Sequence, residues 1–254
     1  MEHDRRPIDA QFVAPSAFGL GSEVTLGPEA AHHMNVLRLD FGARIGVVDG
    51  AGNAGAGTLV RLGRRDAMVA IDQIWTVDRP PAVHMIVPVA DRDRMLWMAE
   101  KCTELGAASW RPVEWRRSVS VVPRGAGEAF RDKVRARMMA ALTQSRGAWL
   151  PEQFAESSLA GALSSAPQGI RIFLDPAGIP LLQALSLPLV APVTIAVGPE
   201  GGVEEPEVAA LATSGFVRAS LGPAILRFET AGVAALGAVQ AAIAAGAGPA
   251  GGHR

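Results

Sequence analysis

Two short stretches carry the residue types that could do chemistry. The first, VTIAVGPEGGVEEPE at residues 193–207, puts Gly198-Pro199-Glu200-Gly201-Gly202 between an apolar run and an acidic stretch that reads as a helix start. The second, Leu221-Gly222-Pro223-Ala224-Ile225-Leu226-Arg227, also leaves an apolar run and enters a helix, with Glu229 and Thr230 just beyond. Glycine permits positive φ and leaves no side chain between the backbone and a ligand, and proline stiffens the turn. Such loops can grip a small molecule through main-chain groups. The apolar pair Ile225-Leu226 beside Arg227 and Glu229 suits a flat heterocycle flanked by polar chemistry. Two plainer readings stand beside this one. The first loop can be a rigid turn, and Arg227 with Glu229 can be a capping pair at a helix start.

Other reactive residues are sparse. His32 and His33 adjoin, while His3, His84 and His253 are scattered, so no metal-ligand cluster is expected. The single cysteine, Cys102, falls on the apolar face of a helix and reads as core; alone it forms no intrachain disulfide. Gly50-Ala51-Gly52-Asn53-Ala54-Gly55 matches G-x-G-x-x-G after a strand, but Ala56-Gly57-Thr58-Leu59-Val60 follows, with no helix to receive a pyrophosphate. A flexible hairpin tip fits better there.

The 254-residue chain is 49% hydrophobic with a net charge of −1, which excludes general disorder and a globally basic nucleic-acid binder. Charge is uneven, however. Residues 81–146 hold twelve Lys/Arg against seven Asp/Glu, a net of +5, including Arg92, Arg94, Lys101, Arg116, Arg117 and Arg124. That zone is either a solvated face or a phosphate contact. No signal peptide is visible. Residues 231–247 carry no charge, yet their Ala/Gly content suits a packed C-terminal helix better than a membrane span, and a soluble, cytoplasmic protein is expected.

The elements that must hold these residues fall into two halves of different grain. Residues 11–78 read as short strands (11–14, 23–26, 44–49, 58–62, 67–74) with one helix near 29–37, the pattern of a small barrel. After a linker at 78–81, strands and helices alternate. Strands are expected at 83–89, 110–115, 170–174, 193–197 and 217–221, and helices at 91–106, 127–145, 181–185, 204–214 and 229–245. Alternation of that kind implies an α/β domain with a mainly parallel sheet and helices on both faces, whose ligands lie beyond the carboxyl ends of the strands.

AVGPEGGVEEPE together with LGPAILRFETA resembles the bacterial 16S ribosomal RNA (uracil-N3)-methyltransferases of the SPOUT superfamily. HHMNVLRL (32–39), VVDGAGN (47–53), DRMLWMAEKCTELGA (93–107) and TQSRGAWLPE (143–152) agree in order. The resemblance implies a PUA-like β-barrel RNA-binding domain over residues 1–78. It implies a SPOUT methyltransferase domain with a C-terminal trefoil knot over 79–254, acting as a homodimer without metal or membrane. S-adenosyl-L-methionine would sit among Leu174 (in FLDPAG, 173–178), Val197, Gly198, Pro199, Glu200, Gly201, Gly202, Leu221, Gly222, Ile225 and Leu226. The implied substrate is 16S rRNA, within the small ribosomal subunit, methylated at N3 of a uridine in the decoding region. Arg227 is the candidate for stabilising charge on the uracil oxygens; Glu229 would orient Arg227 or take the proton. Arg38, Lys101, Arg116 and Arg117 are the expected RNA contacts. The chain departs from the family pattern at Thr143, Gly147, Val203, Ala224 and Phe228. These departures leave open a different RNA target within the superfamily, or a non-catalytic RNA-binding assembly factor.

Overall fold

The computed structural model describes residues 7–79, 81–118, 125–185, 189 and 192–246. Arg124, His3 and His253, named above, lie outside them, as do residues 80 and 247. The chain divides into two compact units, Met1–Arg79 with Leu142–Leu150, and Pro80–Ala141 with Pro151–Arg254.

The first unit contains β1 (Ala10–Val13), β2 (Glu23–Leu26), α1 (Pro28–Val36), β3 (Arg44–Val48), β4 (Asn53–Leu62) and β5 (Ala67–Thr76). Its sheet order is β1-β3-β4-β5-β2. The β1/β3 pair is parallel and the other pairs are antiparallel. All five strands and α1 contribute to one core, with Phe12, Leu26, Met34, Ile45, Leu59 and Val69 at 4% exposure or less. Alternating side chains of a curled sheet meet in this way on its inner face.

The glycine-rich stretch differs from expectation. Asn53–Gly57 is not a hairpin tip but the first half of β4. A Cβ at Gly57 would lie 2.2 Å from the Ala70 carbonyl oxygen, and one at Gly55 would lie 2.9 Å from that of Gln73. The ladder to β5 shifts register between Ala56 and Gly57. These glycines admit a close, bulged approach of two strands, so a composition that reads as a turn is a strand. The turn itself is Asp49–Gly52. There the Asp49 carboxylate accepts from the N–H groups of Ala51 (2.7 Å) and Asn53 (3.0 Å) and from the Asn53 amide. Burial pushes the Asp49 pKa up, but these bonds outweigh it and hold the group below its ordinary value. The loop closes on itself, and the strand that follows excludes the dinucleotide reading.

The second unit contains β6 (Val83–Pro88), α2 (Arg92–Glu104), β7 (Ser109–Glu114), α3 (Glu128–Ser145, its last turn counted with the first unit), β8 (Glu152–Gln153), β9 (Ser157–Ser158) and α4 (Leu159–Ser164). It continues with β10 (Ile170–Pro180), α5 (Leu181–Ala184), β11 (Val193–Val197), α6 (Glu205–Thr213), β12 (Val217–Ser220) and α7 (Phe228–Gly246). The sheet runs β12-β10-β11-β6-β7-β8, with β9 also on β7, and every pair is parallel. Helices cover both faces. Ile86 packs with Leu159 of α4 and Leu211 of α6. Its neighbour Met85 points the other way, toward Gly232 of α7.

Helix α7 is long and apolar enough to cross a membrane. It is instead a packed helix of this unit, lying on α2, β6 and β11, with Gly232 admitting the Met98 side chain. Cys102 is fully buried, and burial pushes its thiol well above the ordinary range, which removes it as a nucleophile.

Gly52 has φ +92°, and a Cβ there would lie 2.2 Å from the Trp149 ring. Gly52→Ala is expected to lower stability by about 2–4 kcal/mol in urea unfolding, since strain and overpacking add. An unchanged midpoint would show that the turn can move.

Candidate functional site

The ends of three neighbouring strands build the site. Strand β11 ends at Val197 and delivers residues 198–202. Strand β12 ends at Ser220 and delivers 221–227. Strand β10 is broken by a bulge between Leu174 and Ile179, from which residues 175–178 project. β10 lies between the other two in the sheet, so the three segments surround one cavity of about 390 Å³. Apolar walls come from Leu174, Val197, Leu221, Ile225 and Leu226, and carboxylates from Asp175, Glu200 and Glu205. That volume falls within the roughly 300–1,000 Å³ common for small-molecule sites.

The expected cofactor residues Leu174, Val197, Gly198, Pro199, Glu200, Gly202, Leu221, Gly222, Ile225 and Leu226 all line the cavity, while Gly201 does not. Gly201 is small for another reason: a Cβ there would lie 3.0 Å from both the Cβ and the carbonyl oxygen of Arg117. A Cβ at Gly198 would meet Val203 at 2.6 Å, and Gly202 has φ +79°. Packing and backbone conformation therefore require glycines here before any ligand is considered. Asp175 and Arg218, which the sequence did not single out, face the cavity as an ion pair (2.6 Å). The Asp175 carboxylate also accepts from the Ala177 N–H at 2.8 Å, bracing the bulge. No sequence spacing predicts that pair, because it joins a bulge to the next strand in the sheet.

Arg227 and Glu229 are not brought together. Arg227 is exposed and its side chain makes no hydrogen bond or ion pair among the described residues. Glu229 is 8% exposed, and its Oε2 has no partner among them. Its opposite charge is Arg94 of α2, 4.0 Å from Oε1, and not Arg227. Arg94 also pairs with Glu200.

The basic zone is largely spent inside the fold. Lys101 bonds Glu100 and Glu104, both at 2.8 Å, and these bonds raise its pKa. Arg111 is buried, stacked 3.5 Å over Phe154, and desolvation lowers its pKa. Arg131 pairs with Glu156 and Arg137 with Glu100. Arg116 and Arg117 both reach Glu204, at 3.3 and 3.6 Å, and Arg117 donates to the Gly201 carbonyl at 3.1 Å. Their side chains remain more than half exposed. Arg38 is exposed, in left-handed conformation (φ 55°), at the end of α1. His32 and His33 are exposed, and His33 packs edge-on against Phe12. Among the described residues no group of His, Cys, Asp and Glu could hold a metal.

Comparison with known proteins gives this cavity a context. Residues 78–240 match the family model of the RNA methyltransferase domain, and residues 26–71 match the RNA methyltransferase PUA domain. A Mycobacterium bovis protein named ribosomal RNA small subunit methyltransferase E is 31% identical over 230 residues, covering 84% of each chain. The chain belongs to this RNA methyltransferase family. The Bacillus subtilis member is 28% identical over 84% of this chain and 88% of its own. The Neisseria gonorrhoeae member, crystallised with S-adenosyl methionine, superposes with a TM-score of 0.80 at 26% identity, covering 91% of this chain and 97% of its own. A methyltransferase from Legionella pneumophila, also with this cofactor bound, gives a TM-score of 0.81 at 25% identity over 92% and 97%. The resemblance carried by the GPEGG and LGPAILRFETA stretches is thus borne out at the level of the RNA methyltransferase family, as are the parallel α/β sheet and the PUA domain.

One buried carboxylate braces the segment next to the cavity. Glu207 of α6 is 6% exposed; its Oε1 accepts from the Arg116 N–H (2.9 Å) and its Oε2 from the Glu204 N–H (3.0 Å). Glu207→Ala leaves both donors unpaired and is expected to cost about 2–3 kcal/mol in chemical denaturation. A cost under about 0.5 kcal/mol would show that water replaces the carboxylate.

Proposed function

We propose that this chain transfers the methyl group of S-adenosylmethionine to ring nitrogen 3 of a uridine in 16S rRNA, in the decoding region of the small subunit. The observation that carries the reading is the one cavity lined from the ends of β10, β11 and β12, by Leu174, Asp175, Val197, Glu200, Leu221 and Leu226 among others, in a chain of the RNA methyltransferase family. The cavity fits the cofactor chemically. Its apolar walls suit an adenine ring, and its carboxylates suit hydroxyls and cationic groups.

When bound among Leu174, Val197, Leu221, Ile225 and Leu226, the cofactor would supply an electrophilic methyl carbon for the uracil nitrogen, whose proton would pass to solvent. The residues of the chain do the rest. The apolar walls exclude water and hold the donor at reacting distance from the base. Arg227, exposed and uncommitted beside Leu226 and Phe228 of the cavity wall, stabilises charge developing on the uracil oxygens. Glu229 does not line the cavity and faces Arg94, so we assign it the positioning of the start of α7 rather than contact with the base.

Arg38, Arg116 and Arg117 keep exposed side chains for phosphate. Lys101, held between two carboxylates, contributes less to that contact. Residues 1–78 act as the RNA-binding domain and 79–254 as the knotted catalytic domain. The enzyme works in the cytoplasm as a homodimer. Support for association comes from Trp97 of α2, 44% exposed, and from α7, an apolar helix that is only partly buried.

Incubation with labelled cofactor and small subunits from a strain lacking the modification, followed by nucleoside mass spectrometry, is expected to yield 3-methyluridine. A different methylated nucleoside would move the target within the superfamily, and no incorporation with no cofactor binding would indicate an assembly factor. Arg227→Ala is expected to lower kcat by about 10²–10³-fold with cofactor affinity nearly unchanged. Unchanged turnover would remove Arg227 from the mechanism.

A further inference from the structure

We propose that Arg94 is a positioning residue for the cofactor cavity, joining Glu200 of the 198–202 loop to the buried Glu229 at the start of α7. The inference rests on the cofactor reading above.

Arg94 occupies the first turn of α2, where the Asp91 side chain caps both the Asp93 and the Arg94 N–H at 3.1 Å. A cation in the first turn opposes the helix dipole, so the helix gains nothing from Arg94 at this position. The guanidinium leaves α2 and meets two carboxylates from elements more than a hundred residues away in sequence. Nη1 pairs with Glu200, and Nε lies 4.0 Å from Glu229 Oε1. The side chains are 33%, 46% and 10% exposed, respectively.

Glu200 lines the cavity, while Arg94 and Glu229 do not, so Arg94 acts on the ligand through Glu200. The loop needs such a tie. It contains three glycines, Gly202 sits at φ +79°, and Pro199 has no N–H to donate. Glu200 is its one side chain long enough to be held from outside. Arg117 holds the opposite flank through the Gly201 carbonyl. Arg94 also supplies the opposite charge that a carboxylate as buried as Glu229 requires. One guanidinium therefore ties the 198–202 loop to the start of α7, the helix that follows the 221–227 segment.

The test is calorimetric titration of S-adenosylmethionine into wild type, Arg94→Met, Arg94→Lys, Glu200→Gln and the Arg94→Met/Glu200→Gln double variant, with a thermal melt of each. Wild type is expected to bind. Arg94→Met and Glu200→Gln each raise Kd about tenfold, and the double variant is no weaker than the worse single one, because both substitutions break the same pair. Arg94→Lys falls between, since a point charge can reach Glu200 without bridging to Glu229. In turnover, KM for the cofactor follows Kd across the variants.

Unchanged Kd in both single variants, with wild type binding, overturns the proposal, and a lowered melting temperature alone would then mark Arg94 as a fold residue. Fully additive losses also overturn it. If Arg94→Met does not fold, Arg94→Lys decides: a Kd equal to that of wild type overturns the proposal. Absence of binding by wild type would instead overturn the cofactor reading, and this proposal with it.

Discussion

Parallel pairing of β10 with both β11 and β12 is the constraint on which the site depends. In a parallel ladder every strand ends on the same edge, so segments from residues 174–178, 198–202 and 221–227 emerge side by side although other elements intervene in the chain. Strand β11 is short and apolar, with Val193–Val197 buried throughout, and that burial fixes its register. The bulge in β10 then directs a third segment outward without ending the strand. Nothing in the loops alone would create a cavity. The sheet aligns them, and glycine lets them approach.

Charge holds what the sheet aligns. Arg94 approaches the 198–202 loop from α2, and Arg117 approaches it from the segment after β7. Glu207 gathers the N–H groups of Arg116 and Glu204 behind that loop. Half-exposed ion pairs contribute little to global stability, typically about 0–1 kcal/mol each. Here their significance is local, since a glycine-rich loop has few packing contacts of its own to define its shape. The same arrangement explains why a basic zone of net +5 is a poor guide to nucleic-acid contact. Most of its arginines and lysines are committed to carboxylates or aromatic faces within the second unit.

Much of this was legible in the sequence, for identifiable reasons. β11 and β2 have the expected bounds because their short apolar or alternating runs end at glycine or proline signals. The change from short strands to alternating strands and helices near residue 78 reflected a real difference in architecture. Legibility failed where a long-range contact decides the outcome. Asn53–Gly57 looks like a loop by composition and is a strand, because β5 needs the space that glycine leaves. β8, β9 and α4 are too short for periodicity and exist through their packing on β7. Glu229 seemed paired with Arg227 by proximity in sequence, but the helix start turns it inward toward Arg94. Glu200 and Arg94 are 106 positions apart, and no spacing rule connects them.

The account claims that three strand-end segments of one parallel sheet enclose the methyl donor. A crystal structure of this chain grown with S-adenosylhomocysteine tests that claim most directly. The account requires ligand density bounded by Val197, Leu221 and Leu226, with Glu200 still held by Arg94. Density at another place on the second unit, or an empty cavity at saturating ligand, would contradict it.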